Sequence, residues 1–158
     1  MKTLVVGLGN PILGDDGIGW VTAEEVRKHF PAGLGVDVDC LSLGGISLME
    51  HLIGYERAIL IDAWICNEKP GSIIVSNLDK LPDQSAFHLT STHDMSLQNA
   101  MRLGRQLGAE LPGEITVVGI SARHVYDFSE ELSPPLAEAV PKATQIVVEL
   151  LTQNITIH

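Results

Sequence analysis

The segment VVGLGNPILGDDGIG, Val5–Gly19, combines an apolar run, a glycine-rich loop and the start of a helical pattern. This order predicts a strand that ends in a loop at the edge of a sheet and leads into a helix. Glycine-rich loops after a first strand commonly bind phosphate, but Asp15 and Asp16 would repel an anion. The loop is therefore expected to hold a ligand other than phosphate.

The loop departs from two common nucleotide-binding motifs. Gly7 and Gly9 fill the first two glycine positions of a dinucleotide fingerprint, but Ile12 occupies the third, where helix and strand must approach closely. The acidic residues at a suitable distance, Asp37 and Asp39, fall within the next strand pattern. No Gly-Lys-Ser/Thr follows, which excludes a P-loop. Nucleotide binding therefore stays a minor alternative.

Composition narrows the class of protein. A chain of 158 residues with 45% hydrophobic residues predicts a single domain, residues 1–158, with a continuous core. The net charge of −10 disfavours nucleic acid and anionic membranes and favours cationic partners such as metal ions. Cys40 and Cys66 are too few for a disulfide scaffold, which favours reduced thiols and a cytoplasmic location. Neither a signal peptide nor a transmembrane helix is expected.

Apolar runs alternate with segments of helical period along the whole chain. This alternation predicts an α/β layer sandwich with a largely parallel sheet, since strands covered on both faces are almost entirely apolar. The predicted strands are TLVVGL, VDVDCLSL, AILIDAW, SIIVSNL and EITVVGI.

Three helices follow from apolar spacings of three and four residues. The first is predicted over Ile18–Phe30 and another over Asp94–Leu107. The last has Ser133 as its cap and Pro134 in its first turn, and Pro141 either kinks it or marks its true start. The predicted inward-facing residues are Ile18, Val21 and Val26 in the first helix, Leu97, Ala100, Met101 and Leu107 in the second, and Leu136, Ala139, Val140, Ala143, Ile146, Val147, Leu150 and Leu151 in the last.

Polar residues collect where the predicted strands end, which is the edge where parallel sheets bind ligands. Asp15 and Asp16 follow the first strand, Asp62 closes the run AILID, and His93 precedes a helix. Each also has a structural interpretation: an aspartate caps a helix, and a lone histidine lies on the surface. We expect Asp15 to cap the first helix, which leaves Asp16 free to point into the cleft.

Two carboxylates and an imidazole form a ligand set suited to Ni²⁺, Zn²⁺ or Mn²⁺, with open positions for water or substrate. No G-x-S-x-G motif is present, and Cys66 has no evident histidine base beside it. Metal-assisted hydrolysis is therefore the simplest enzymatic interpretation. A metal-free pair of aspartates that activates water is the rival mechanism.

The ordered motifs GLGNPILGDDGIG, LIDAW followed by KPG, STHDMSL, and ITVVGI with LSPPLAEAVPKA resemble those of the hydrogenase maturation proteases. The resemblance runs along essentially the whole chain. It implies a phosphorylase/hydrolase-like three-layer α/β/α sandwich around a five- to six-stranded, largely parallel sheet. It also implies an endopeptidase, expected to be monomeric, that removes the C-terminal extension of a [NiFe] hydrogenase large-subunit precursor after nickel insertion.

Site residues follow from the same resemblance. Asp16, Asp62 and His93 correspond to the family's metal-binding residues, and Asp16 or Asp62 is expected to act as the catalytic base. The implied metal is Ni²⁺ contributed by the substrate, for which Zn²⁺ or Cd²⁺ is expected to substitute in vitro. Relatives usually have an aspartate before the paired glycines after the second strand, where this chain has Leu43.

Two further alternatives stay open on sequence alone. Peptidyl-tRNA hydrolases share the opening VVGLGNP, but here Ile12-Leu13-Gly14-Asp15-Asp16 follows, and the net charge of −10 opposes a tRNA ligand. A non-catalytic metal-binding module would need the same three ligands without turnover.

Overall fold

The computed structural model describes residues 2–31, 33–81 and 95–156. Its strands are Thr3–Leu8 (β1), Val36–Leu41 (β2), Arg57–Trp64 (β3), Ile73–Asn77 (β4) and Glu114–Ser121 (β5). They form one sheet in the order β2-β1-β3-β5-β4. All five lie within or overlap the predicted apolar runs, so the strand predictions are confirmed.

The sheet is parallel except at one edge. β1 pairs in parallel with β2 and β3, and β3 pairs in parallel with β5, whereas β4 runs antiparallel to β5. Every residue of β1 and β3 is buried, as expected of strands covered on both faces. The predicted largely parallel sheet is confirmed.

Helices cover both faces of this sheet. They are Ile18–Arg27 (α1), Gly45–Leu52 (α2), Leu97–Gln106 (α3) and Pro134–Thr156 (α4). Successive residues of β3 point to opposite faces, so Leu60 packs into the core beneath α2 and α3, while Ile59 and Ile61 pack beneath α1 and α4. The architecture is the predicted three-layer α/β/α sandwich. In the part of the chain that the structure describes, no helix is long and apolar enough to cross a membrane.

The helix predictions needed four corrections. α1 ends at Arg27 instead of Phe30, and Val21 is 39% exposed because it lies beside the buried stripe formed by Ile18, Thr22 and Val26. Leu107 lies past the last residue of α3 and is 77% exposed, since it no longer follows the helical stripe. α3 begins at Leu97 with Ser96 as its N-cap, so the predicted start at Asp94, which itself lies outside the described residues, is too early.

The prediction for the last helix is largely confirmed. α4 begins at Pro134 and continues through Pro141, so Pro141 does not mark its start. Proline at the first helical position loses nothing, because the N–H it lacks would have no partner there.

The strand order reverses between β1 and β3. From β1 the chain goes outward to β2 on one side and returns to β3 on the other, which is the kind of reversal in strand order where α/β sheets bind ligands. The pairing of β1 with β3 ends at Ile61, so Asp62 is the first β3 residue beyond it. The first turn of α1 packs directly against both strands, since a Cβ on Gly19 would collide with the carbonyl oxygens of Leu8 and Ile61.

Candidate active site

Asp62 lies in the middle layer of the protein and has no solvent-exposed surface. It sits within β3, opposite Gly119 of β5, and the strand continues to Trp64 instead of ending at the carboxylate. Its Oδ1 accepts a hydrogen bond from the Ala63 N–H at 2.8 Å. Its buried Oδ2 has no hydrogen-bond partner among the described residues. A buried polar atom of this kind is costly unless a ligand or ion completes its coordination.

Asp16 lies on a short 3₁₀ turn, Gly14–Gly17, between β1 and α1, and it is also buried. Its Oδ2 accepts a hydrogen bond from the Asn10 N–H at 2.8 Å, and its own N–H donates to the Leu13 carbonyl at 3.1 Å. The loop folds back at Gly9, whose φ of +132° favours glycine and where a Cβ would collide with the Asp16 carbonyl oxygen. The glycine therefore serves the placement of Asp16.

The structure brings Asp16 and Asp62 within electrostatic range of each other. Burial raises the pKa of Asp62 well above its usual value, the negative charge of Asp16 raises it further, and the hydrogen bond from Ala63 opposes both effects. Two buried carboxylates of the same sign favour either a shared proton or a bound cation. A phosphate group bound at this loop would be repelled by the same negative charges, as expected from the sequence.

Asp15 does not have the predicted role. Neither the 3₁₀ turn nor α1 has a side-chain cap, and the Asp15 carboxylate instead accepts hydrogen bonds from Ser133. The Ser133 N–H donates to Oδ1 at 2.7 Å and its hydroxyl donates to Oδ2 at 2.8 Å. Asp15 is thus buried against the start of α4, where it anchors the loop between β1 and α1 to a residue 118 positions away.

The segment between β5 and α4 is tied to the same loop along its backbone. The Gly14 N–H donates to the Ser129 carbonyl at 2.8 Å, and the Ser129 N–H donates to the Ile12 carbonyl at 3.0 Å. The Asp15 N–H donates to the His124 carbonyl at 3.1 Å. Local sequence contained no signal for this pairing, because neither segment has a strand pattern.

The remaining predicted site residue, His93, lies outside the described residues. Within residues 2–31, 33–81 and 95–156, no group of three His, Cys, Asp or Glu side chains is arranged to hold a metal ion. Both cysteines are free thiols. Burial raises the pKa of Cys40 to about 12, which makes it a poor nucleophile, and the Cys66 thiol lies 3.4 Å from the Ser121 hydroxyl.

Comparison with known proteins identifies the family. The sequence model described as hydrogenase maturation protease matches residues 37–150, a span that includes β3 with Asp62. The chain belongs to the hydrogenase maturation protease family. It is therefore a hydrolase, and this membership favours the protease prediction over the peptidyl-tRNA hydrolase alternative.

Individual relatives extend this match over almost the whole chain. The hydrogenase expression/formation protein HupD of Thiocapsa roseopersicina is 25% identical over 152 residues, which cover 96% of this chain and 68% of HupD. The [NiFe] hydrogenase maturation protease HybD from Thermococcus kodakarensis is 26% identical, with a TM-score of 0.65 over 95% of this chain and 99% of that one. The hydrogenase maturating endopeptidase HybD from Escherichia coli, at 23% identity, shares the fold with a TM-score of 0.82 over 98% of this chain and 94% of that one.

Proposed function

We propose that this maturation protease removes the C-terminal extension of a [NiFe] hydrogenase large-subunit precursor, and that it recognises nickel already inserted in that substrate. Membership in the family supports the reaction class, and the Thermococcus kodakarensis relative is a [NiFe] hydrogenase maturation protease. Zn²⁺ or Cd²⁺ would substitute for nickel in binding experiments.

One observation carries the proposal: the buried carboxylate of Asp62 lies near that of Asp16, and its Oδ2 has no hydrogen-bond partner among the described residues. A divalent cation would offset the burial cost of both negative charges and complete the coordination of that oxygen. Carboxylate oxygens are suitable ligands for Ni²⁺, Zn²⁺ and Cd²⁺, particularly when nitrogen or sulfur ligands from elsewhere complete the set. The observed residues therefore fit a cation.

His93 is proposed as the third ligand on the motif STHDMSL alone, since it lies outside the described residues. A neutral imidazole would supply nitrogen to a site that otherwise offers only oxygen. With three protein ligands, the metal would keep positions for the groups that bind it in the substrate.

The two aspartates would perform two tasks during hydrolysis. Together they would hold the substrate's metal, which fixes the scissile peptide bond beside them and so reduces the entropic part of the barrier. Asp16 or Asp62 would accept a proton from the attacking water as its oxygen bonds to the scissile carbonyl carbon. The resulting carboxylic acid would then donate that proton to the leaving amine as the carbon–nitrogen bond breaks.

Processing of two forms of one precursor tests the function. The purified protein is mixed with nickel-loaded and nickel-free large-subunit precursor of the source organism's hydrogenase, and the products are read by intact mass spectrometry. We expect loss of a C-terminal peptide from the nickel-loaded form only. Cleavage of both forms would remove nickel recognition from the proposal, and binding without cleavage of either form would instead favour a metal-binding module.

A further inference from the structure

Two large apolar side chains lie exposed at the loop between β1 and α1, which carries Asp16. Ile12 is 48% exposed and Phe128 is 86% exposed. Scattered exposed hydrophobic residues are normal, and Leu107 at the end of α3 is another. Ile12 and Phe128 differ from it because the fold holds them together in a fixed place.

A backbone bridge fixes the position of both residues. Leu13 and Ser129 form a parallel β-bridge, and Ile12 and Phe128 are the residues immediately before these two partners. The Ser129 N–H donates to the Ile12 carbonyl at 3.0 Å, so the peptide that joins Phe128 to Ser129 contacts Ile12 directly. Loops held by backbone hydrogen bonds present side chains at little further entropic cost on binding.

The same bridge connects this apolar pair to Asp16. Leu13 accepts a hydrogen bond from the Asp16 N–H at 3.1 Å, and the Asp15–Ser133 hydrogen bonds hold the far end of the segment. An extended peptide spans about 3.3 Å per residue, so a substrate segment bound at Asp16 would reach the apolar pair within a few residues.

Charged groups around Phe128 indicate what kind of segment would bind. Asp127, Glu130 and Glu131 are all exposed on this loop, in a chain of net charge −10. The His124 Nδ1 lies 3.3 Å from the Asp127 Oδ2, and both side chains are exposed. An apolar side chain with lysine or arginine beside it would complement both the apolar pair and the acidic residues.

We propose that Ile12 and Phe128 form a docking surface for the substrate precursor, and that it binds an apolar side chain flanked by basic residues close to the scissile bond. This inference rests on the proposed function and adds a specificity surface to it. Aromatic side chains that become buried on binding commonly contribute most of the binding energy at such surfaces. Phe128 should therefore contribute more than Ile12.

Kinetics of precursor processing test the apolar contact. We expect Phe128→Ala to raise KM for the nickel-loaded precursor about tenfold while kcat changes much less, and Ile12→Ala to raise KM about threefold. Phe128→Leu should restore most of the affinity, because it returns an apolar side chain. Leu107→Ala is the matched control, because Leu107 is similarly exposed but lies at the end of α3, and this variant should behave as wild type.

The charged contact has its own variant. Glu130→Gln combined with Glu131→Gln keeps the size of both side chains, and it should raise KM severalfold and weaken the increase of KM with added NaCl. Circular dichroism of each variant checks the fold, which these exposed positions should not disturb.

The possible outcomes distinguish the docking surface from the proposed protease function. If wild type processes the precursor and Phe128→Ala matches it in KM, the docking surface is refuted while the protease function stands. Absence of processing by wild type would refute both. If sedimentation shows a wild-type dimer that Phe128→Ala dissociates, the surface belongs to a second copy of this chain and the inference is wrong.

Discussion

Two buried charged residues of β3, Arg57 and Asp62, have different electrostatic surroundings. Arg57, at the amino end of β3, donates from Nη1 to the Leu150 carbonyl at 3.0 Å, and its Nε lies 3.6 Å from Oε2 of its cross-strand partner Glu114. Asp62, five residues later, has a partner for only one oxygen among the described residues, and the carboxylate near it, Asp16, has the same charge.

The difference separates stability from function within one strand. At the amino end Arg57 has an opposite charge within 3.6 Å, that of Glu114, although its buried Nε makes no hydrogen bond among the described residues. Its Nη1 hydrogen bond to Leu150 helps to hold α4 against the sheet. At the carboxyl end the charge nearest to Asp62 is that of Asp16, which has the same sign. A bound cation would offset the cost of burying these two carboxylates together. Substitutions at the two positions should therefore affect different properties.

The largest expected effect is on catalysis at the carboxyl end. Asp62→Asn and Asp16→Asn should each lower the rate of precursor processing at least about 100-fold, because each removes a metal ligand or the catalytic base. Single-turnover assays with nickel-loaded precursor measure this. Asp37→Asn is the matched control, since its carboxylate is exposed and accepts a hydrogen bond from the Tyr55 hydroxyl. Wild-type rates for both site variants would contradict the assignment.

At the amino end the effect should be on stability alone. Arg57→Ala removes a charged hydrogen bond to α4 and should lower the free energy of unfolding by about 2 kcal/mol, measured by urea titration. Lys28→Ala, which breaks an exposed pair with Glu25, should cost less than about 0.5 kcal/mol. The folded Arg57→Ala protein should still process precursor, and loss of its activity would remove the contrast between the two ends.

The smallest effect is a pH-dependent gain in stability for Asp62→Asn in the metal-free protein. Because the folded pKa of Asp62 is raised, the folded state keeps its proton while the unfolded chain releases it above about pH 4. Wild type should thus lose stability relative to Asp62→Asn as pH rises from 4 through the folded pKa, reaching a difference of about 1 kcal/mol. Urea titrations with a chelator between pH 4 and 8 test this, and a difference independent of pH would argue against the raised pKa.

Most of the fold was predictable because its signals are local. The apolar runs of β1 and β3 reflect burial on both faces, and the proline at the start of α4 marks its boundary. Val21 and Leu107 were misassigned because an apolar residue within a helical period can lie beside the buried stripe, or just past the helix end. Tertiary packing decides such positions, and the sequence pattern does not record it.

The site was only partly predictable. Asp16 and Asp62 could be placed at one edge of the sheet because each lies at or beyond the carboxyl end of a strand, and parallel strands end at the same edge. The structure brings the two residues together. Asp15 was wrongly expected to cap α1, since its actual partner Ser133 is distant in sequence. The roles of Asp16, Asp62 and His93, and the single-domain organisation of residues 1–158, stay predictions.

Calorimetric titration of the free protein with CdCl₂ at neutral pH tests the central claim most directly, because it needs no substrate. We expect wild type and Asp37→Asn to bind one Cd²⁺ per chain, and Asp62→Asn to bind it at least about tenfold more weakly. Equal affinity in wild type and Asp62→Asn, or no binding by wild type, would contradict the claim that the carboxyl end of β3 is a cation site.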